Sequence, residues 1–151
     1  MIPRLGRPPP SVPHRFRPGA YAILVKGDRI LLTEQDMPDG VELQLPGGGL
    51  EPEETTIPGL VREVIEETGY RCRILRRVGA YRRFTMMEDY GVRAEKLCHI
   101  YLGQAGLRIG PPREQGHRAI WAHRDEAIRG LANRADAEIL HRVLRNRWTR
   151  R

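Results

Sequence analysis

LPGGGLEPEETTIPGLVREVIEETGY, from Leu45 to Tyr70, joins a glycine-rich turn to a cluster of carboxylates and then to a segment of helical period. At about 100° per residue, Glu63, Glu66 and Glu67 fall at i, i+3 and i+4 and share one helix face, while Ile57, Leu60, Val61, Val64 and Ile65 fall on the other. The expectation is a helix with one side on a core and three carboxylates on the other side. Side chains at those spacings lie roughly 5–6 Å apart, and like charges there oppose the helix by about 0.2–0.5 kcal/mol per pair. Arg62 can relieve Glu66 at i+4, but one guanidinium does not neutralise three acids. A divalent cation does. Hard cations such as Mg²⁺ or Mn²⁺ take oxygen ligands, and Mg²⁺ usually sits, still partly hydrated, between a few carboxylates and a substrate's phosphates. Gly47, Gly48 and Gly49 would let backbone approach a ligand closely and offer carbonyl or N–H groups. A solvated acidic face after an ordinary glycine turn is the competing reading, and for an isolated Glu-x-x-Glu-Glu it would be preferred.

The full spacing changes that preference. Gly48, five residues, Glu54, seven residues and then Arg62-Glu63-Val64-Ile65-Glu66-Glu67-Thr68-Gly69-Tyr70 resembles the signature of the Nudix hydrolase family at each fixed position. Tyr70, where the family prefers an aliphatic residue, is the one departure. The resemblance implies an α/β fold, a mixed curved β-sheet sandwiched between helices. It also implies an enzyme, a nucleotide pyrophosphatase that uses Mg²⁺ or Mn²⁺ and water to cut a phosphoanhydride in a nucleoside diphosphate-linked substrate. On the same resemblance Glu63, Glu66 and Glu67 bind metal, with the Gly47 carbonyl as a further ligand. Arg62 orients the acids by pairing with Glu54. Either Glu63 or Glu66 activates the attacking water, and the motif does not fix which. Many Nudix enzymes bring one more acid to the metal site from a late loop, and Glu114 is the candidate here.

Two alternatives stay open. An RNA 5′-end pyrophosphohydrolase is favoured by the basic balance, but the family's RNA enzymes tend to vary the Pro-Gly-Gly-Gly turn, which here is of the ordinary sort. A non-catalytic nucleotide-sensing module usually loses acids of the motif, and none is missing.

The 151 residues suit one domain with a real core. The net charge is +7, and nearly all the basic residues are arginine, Lys26 and Lys96 being the exceptions. Arginine grips phosphate bidentately, which supports a nucleotide or RNA partner. Cys72 and Cys98 make neither a disulfide framework nor a zinc spacing, so free thiols in a cytoplasmic protein are expected. No apolar run approaches a membrane span, so no membrane partner is expected. Family members are often dimers, and the resemblance therefore admits a homodimer.

Along the chain, residues 1–18 are rich in Pro and Arg and read as an extended or disordered arm, with the domain occupying 19–151. AYAILVKGDRILLTEQ reads as a hairpin turning at Gly27-Asp28. Asp36 to Glu42 reads as a polar loop. The helix of the motif should start near Thr55 or Thr56 and end on a left-handed Gly69. Gly59 should weaken it by about 1 kcal/mol unless close packing against the sheet needs a bare backbone. Two longer strands are expected at Cys72 to Thr85 and Ala94 to Gln104, and the connection between them carries Met86, Met87 and Tyr90, which would suit a base pocket. Arg82 and Arg83 are candidate phosphate contacts there. A loop from Gly106 to Gly116, a short strand from Arg118 to Ala122 and two helices, Asp125 to Leu131 and Ala135 to Trp148, complete the reading.

Overall fold

The computed structural model describes residues 2–5, 15–87 and 92–149. In chain order the elements are β1 (Arg4–Leu5), β2 (Arg15–Lys26), β3 (Arg29–Met37), β4 (Gly40–Gln44), β5 (Gly47–Gly49), α1 (Thr56–Thr68), β6 (Tyr70–Met87), β7 (Val92–Arg108), β8 (His117–His123), α2 (Arg124–Gly130) and α3 (Arg134–Thr149). The strands form one mixed sheet in the order β1-β6-β7-β2-β3-β4, with β5 paired to β2 and β8 to β3. β2 and β7 run parallel, while β6–β7 and β2–β3 are antiparallel.

Period-2 alternation places a different helix layer on each face. Ala20, Ala22 and Leu24 of β2 pack with Leu60 and Val64 of α1. Ile23 and Val25 of the same strand pack with Leu140, Val143 and Leu144 of α3. The sheet is therefore held between helices, as the sequence led us to expect.

The divergence of β2 from β3 positions the functional site. The two strands pair only from Leu24 to Lys26 before separating. Gly19, Ala20 and Tyr21 pair instead with Gly49, Gly48 and Gly47 of β5, and the Ala22 N–H donates to the Pro46 carbonyl. The glycine turn is thus wedged into the opening of the sheet and braced by backbone hydrogen bonds.

Several element boundaries depart from the sequence reading. Arg15 to Pro18, read as part of the arm, lie in β2, paired with Ala94 to Leu97 of β7, and Arg4–Leu5 pairs with β6 at Arg82 and Arg83. Asp36 to Glu42 is a hairpin in which Met37 pairs with Gly40; its polar composition reflects an exposed sheet edge, which leaves both faces of short strands wet. β7 runs on to Arg108, paired with Tyr70, and shortens the expected 106–116 loop. Ile57 does not reach the core and is 46% exposed.

One hydrogen bond joins the sheet to the last helix. The Tyr81 hydroxyl of β6 donates to Asp136 Oδ1 of α3 at 2.6 Å, with both side chains buried. Burial holds the Asp136 carboxyl above its usual range, opposed by the hydrogen bond from Tyr81 and by Arg83. Tyr81→Phe leaves a buried acceptor without its donor and is expected to lower stability by about 1–3 kcal/mol in urea denaturation. Wild-type stability in the variant would mean that water replaces the bond without loss.

Candidate active site

α1 begins after Thr55, which is in an extended conformation but makes no side-chain capping bond, and ends on Gly69 in the left-handed region (φ 77°). Gly59 has a specific neighbour: a Cβ there would stand 2.7 Å from the Glu54 carboxyl carbon. The close approach is made by Glu54 of the preceding loop and not by the sheet. A side chain at position 59 would push Glu54 off the helix.

Glu54 is held there by Arg62. Arg62 Nε and Nη2 donate to the two Glu54 oxygens at 2.7 and 2.9 Å, a bidentate fork. Nη1 reaches Glu66 at 3.0 Å, and Nη2 lies 3.2 Å from Glu63. The expected pairing of Arg62 with Glu54 is present, and the same guanidinium touches two carboxylates of the helix as well. It does not touch the third.

Glu67 departs from the simple acidic face. Its side chain lies along the Leu60–Val64 line, and the residue is 4% exposed. From Leu60 to Glu67 seven residues turn the helix about 700°, which returns Glu67 to within ~20° of the core direction. Gly47 N–H donates to Glu67 Oε2 at 2.9 Å. Burial is the largest influence on this carboxyl and pushes it well above the ordinary range, partly opposed by that N–H and reinforced by Glu114, Glu63 and Glu66. The Glu63 carboxyl is also raised, first by burial, and it rests against the backbone of Gly48, where a Cβ would lie 2.9 Å away.

The late loop closes the other side. Arg113 and Glu114 both donate backbone N–H to the Glu66 carbonyl, at 2.8 and 3.0 Å. Those bonds fasten the loop to the C-terminal turn of α1 and bring the Glu114 side chain over the acids. His117, which sequence reasoning missed, sits behind them. Its Nδ1 is 2.8 Å from Thr33 Oγ1 and 3.6 Å from Glu67 Oε1, and its Nε2 is 3.8 Å from Glu114 Oε1. The available signal was alternation: His117, Ala119 and Trp121 share the face of β8 that looks toward α1. Trp121 Nε1 donates to the Tyr70 hydroxyl at 3.1 Å and the rings meet edge to face, which gives the unusual Tyr70 a packing reason.

Two sets of donors gather within 4.8 Å: Glu63, Glu66 and Glu114, and Glu67, Glu114 and His117. The first is an all-oxygen set suited to Mg²⁺ or Mn²⁺. The residues fit such an ion on a further count, since the half-buried Glu63 and the buried Glu67 resist ionising until a cation offsets the charge.

The remaining sequence candidates divide. Arg83 lines a cavity of about 410 Å³ beside the glycine turn, together with Tyr21, Gln44 and Asn133. Arg82, one residue away, points to the opposite sheet face, 3.9 Å from Glu95. Alternation along β6 therefore separates the two arginines that the sequence reading grouped as phosphate contacts. Tyr90 lies outside the described residues, and for Met86 and Met87 the structure describes backbone alone.

The fork on Glu54 carries a pH signature. The Arg62 hydrogen bonds, followed by the Glu51 N–H, hold its carboxyl down to about 2, against 4.5 ordinarily. A carboxyl lowered in the folded state contributes stability above its unfolded pKa and loses it as pH falls through the folded one. Melting curves of EDTA-treated protein from about pH 5 down to about pH 2 are expected to fall more steeply for the wild type than for Glu54→Gln. Parallel curves would remove any stabilising role for the pair.

Comparison with known proteins gives the same direction. A CMP-5′-(N-acetyl-N-hydroxy-3-aminopropyl)phosphonate hydrolase of Streptomyces rubellomurinus is 31% identical over 125 residues, 78% of this chain and 58% of that protein. A candidate 8-oxo-dGTP diphosphatase of Bacillus subtilis is 33% identical over 70 residues, 45% of each chain. The chain thus spans about half the length of these curated relatives. Among solved structures, a NUDIX hydrolase from Nitrosomonas europaea superposes with a TM-score of 0.67 at 27% identity, covering 84% of this chain and 87% of that one. The NUDIX domain itself matches residues 15–143, and with its acids and glycine turn assembled as described, the chain belongs to the NUDIX domain family.

Proposed function

We propose that this protein is a divalent-metal-dependent hydrolase that cuts a phosphoanhydride in a nucleoside diphosphate-linked substrate. The observation that carries the reading is the convergence of Glu63, Glu66, Glu67 and Glu114 around the glycine turn, where one arginine cannot neutralise them. Glu63, Glu66 and Glu67, with the Gly47 carbonyl, would hold Mg²⁺ or Mn²⁺. Bound there, the ion would polarise phosphoryl oxygen and lower the pKa of water.

The chain's own residues supply the rest. Arg62 fixes Glu66 and Glu63 in the orientation that faces the substrate, and Glu54 fixes Arg62. Glu114 stands on the open side of the cluster, 48% exposed, and is the carboxylate best placed to accept a proton from the attacking water. His117 braces Glu67 and Glu114 from behind and is anchored in turn by Thr33. The free thiols Cys72 and Cys98 suit a reducing compartment such as the cytoplasm.

The test is release of phosphate or pyrophosphate across a panel of nucleoside triphosphates, nucleotide sugars, ADP-ribose, dinucleoside polyphosphates and 5′-triphosphorylated RNA, with Mg²⁺ and Mn²⁺. On the best substrate, Glu67→Gln is expected to lower turnover by at least about two orders of magnitude while the melting transition persists. EDTA is expected to abolish activity. Full turnover by Glu67→Gln, or indifference to EDTA, would overturn the reading.

A further inference from the structure

On the sheet face toward α3, three cations stand in one row across three adjacent strands. Arg17 of β2 is the register partner of Lys96 in β7, and Lys96 is the partner of Arg83 in β6. Neighbouring strands lie about 4.8 Å apart, so the three side chains emerge side by side. Like charges directly opposite each other destabilise a sheet. The ordinary remedy is an acidic cross-strand partner. Among the described residues, none of the three makes an ion pair. The buried Asp136, which lines the larger cavity with Arg83 and Lys96, accepts a hydrogen bond from Tyr81 and feels the charge of Arg83 without forming an ion pair with it.

The row is also sheltered. Arg17 Nε is buried without a hydrogen-bond partner. Burial, and then the charges of Arg83 and Arg17, hold the Lys96 ammonium below the usual lysine range. Arg17 and Lys96 line a cavity of about 250 Å³ with Tyr21, Gly49 and Glu51, and Tyr21, Lys96 and Cys98 are shared with the larger cavity that Arg83 lines. The two form one cleft. Arg17 is two residues along β2 from Gly19, the partner of Gly49, so the row stands about 7 Å beyond the glycine turn. Glu51 lines the smaller cavity, and Glu42 and Asp136 the larger. Three sheltered cations, none of them ion-paired among the described residues, at that distance from the glycine turn, suit a tetrahedral dianion.

We propose that Arg17, Lys96 and Arg83 form an anion subsite that receives a phosphate of the substrate other than those flanking the bond cut at the carboxylates. The assignment to substrate rests on the hydrolase reading above. It makes the preferred substrate a nucleoside diphosphate derivative that carries one further phosphate.

The test begins on EDTA-stripped full-length protein, titrated calorimetrically with tripolyphosphate at low salt. The wild type is expected to bind, and Lys96→Met and Arg83→Gln are each expected to weaken binding about tenfold or more. Because Lys96→Met also relieves repulsion, its melting temperature is expected to stay level or rise by about 2–4 °C. A lysine that merely packs would give a lower one. In the metal-loaded enzyme, sulfate is expected to inhibit competitively, and Lys96→Met to lose that inhibition. Failure of the wild type to bind tripolyphosphate, equal binding by the variants, or non-competitive inhibition would each overturn the subsite. EDTA keeps the carboxylate centre out of the titration, so that failure leaves the hydrolase reading intact, whereas full activity of Glu67→Gln would remove that reading without altering the binding result.

Discussion

A single buried carboxylate sets the terms for the rest of the structure. Glu67 lies on the core line of α1 and accepts one hydrogen bond, from the Gly47 N–H. Burying a carboxylate is unfavourable unless it is neutralised or well paired, and the fold gives it no guanidinium: Arg62 is occupied by Glu54, Glu63 and Glu66. What surrounds Glu67 instead is backbone N–H, His117 and further acids. That arrangement is unfavourable for a structural role and favourable for holding a cation, and it explains why the glycine turn is wedged into the sheet.

The divergence of β2 from β3 has two consequences. On the α1 face it admits β5, and with it the turn that contacts Glu63 and Glu67. On the α3 face it opens the cleft that Tyr21, Arg83 and Lys96 line. The acids and the cleft therefore lie on either side of the same three glycines. Like charges gather on both sides: acids above, and below them Arg17, Lys96 and Arg83, none of which makes an ion pair among the described residues. Both are places where a ligand would restore the balance.

How much of this could be read from the sequence depended on what encoded it. The spacing of Gly48, Glu54, Arg62 and Glu67 is local, so the helix and its αL cap at Gly69 were legible from the residues, and the resemblance that spacing carries implied the partnership of Arg62 with Glu54. Glu67's burial was not, because counting carboxylates at i, i+3 and i+4 ignores that the third also returns to the core direction. His117 escaped notice because its partners, Thr33, Glu67 and Glu114, are remote in sequence and meet only when β8 pairs with β3. Arg82 and Arg83 were grouped as neighbours in sequence, whereas a strand sends neighbours to opposite faces. The tip of the β3–β4 hairpin, Asp36 to Glu42, read as a loop because it is polar and largely exposed.

If the buried Glu67 serves a bound cation, direct metal binding tests it without reliance on any substrate. Mn²⁺ titration of the EDTA-stripped protein at about pH 7.5, followed by the loss of the free-ion paramagnetic resonance signal, would measure affinity in the wild type and in Glu67→Gln. The expected result is saturable binding by the wild type, weakened about tenfold or more in the variant, and weaker binding as pH falls, because protons compete for the raised Glu67 and Glu63 carboxyls. Equal Mn²⁺ affinity in the two proteins, at every pH tested, would contradict it.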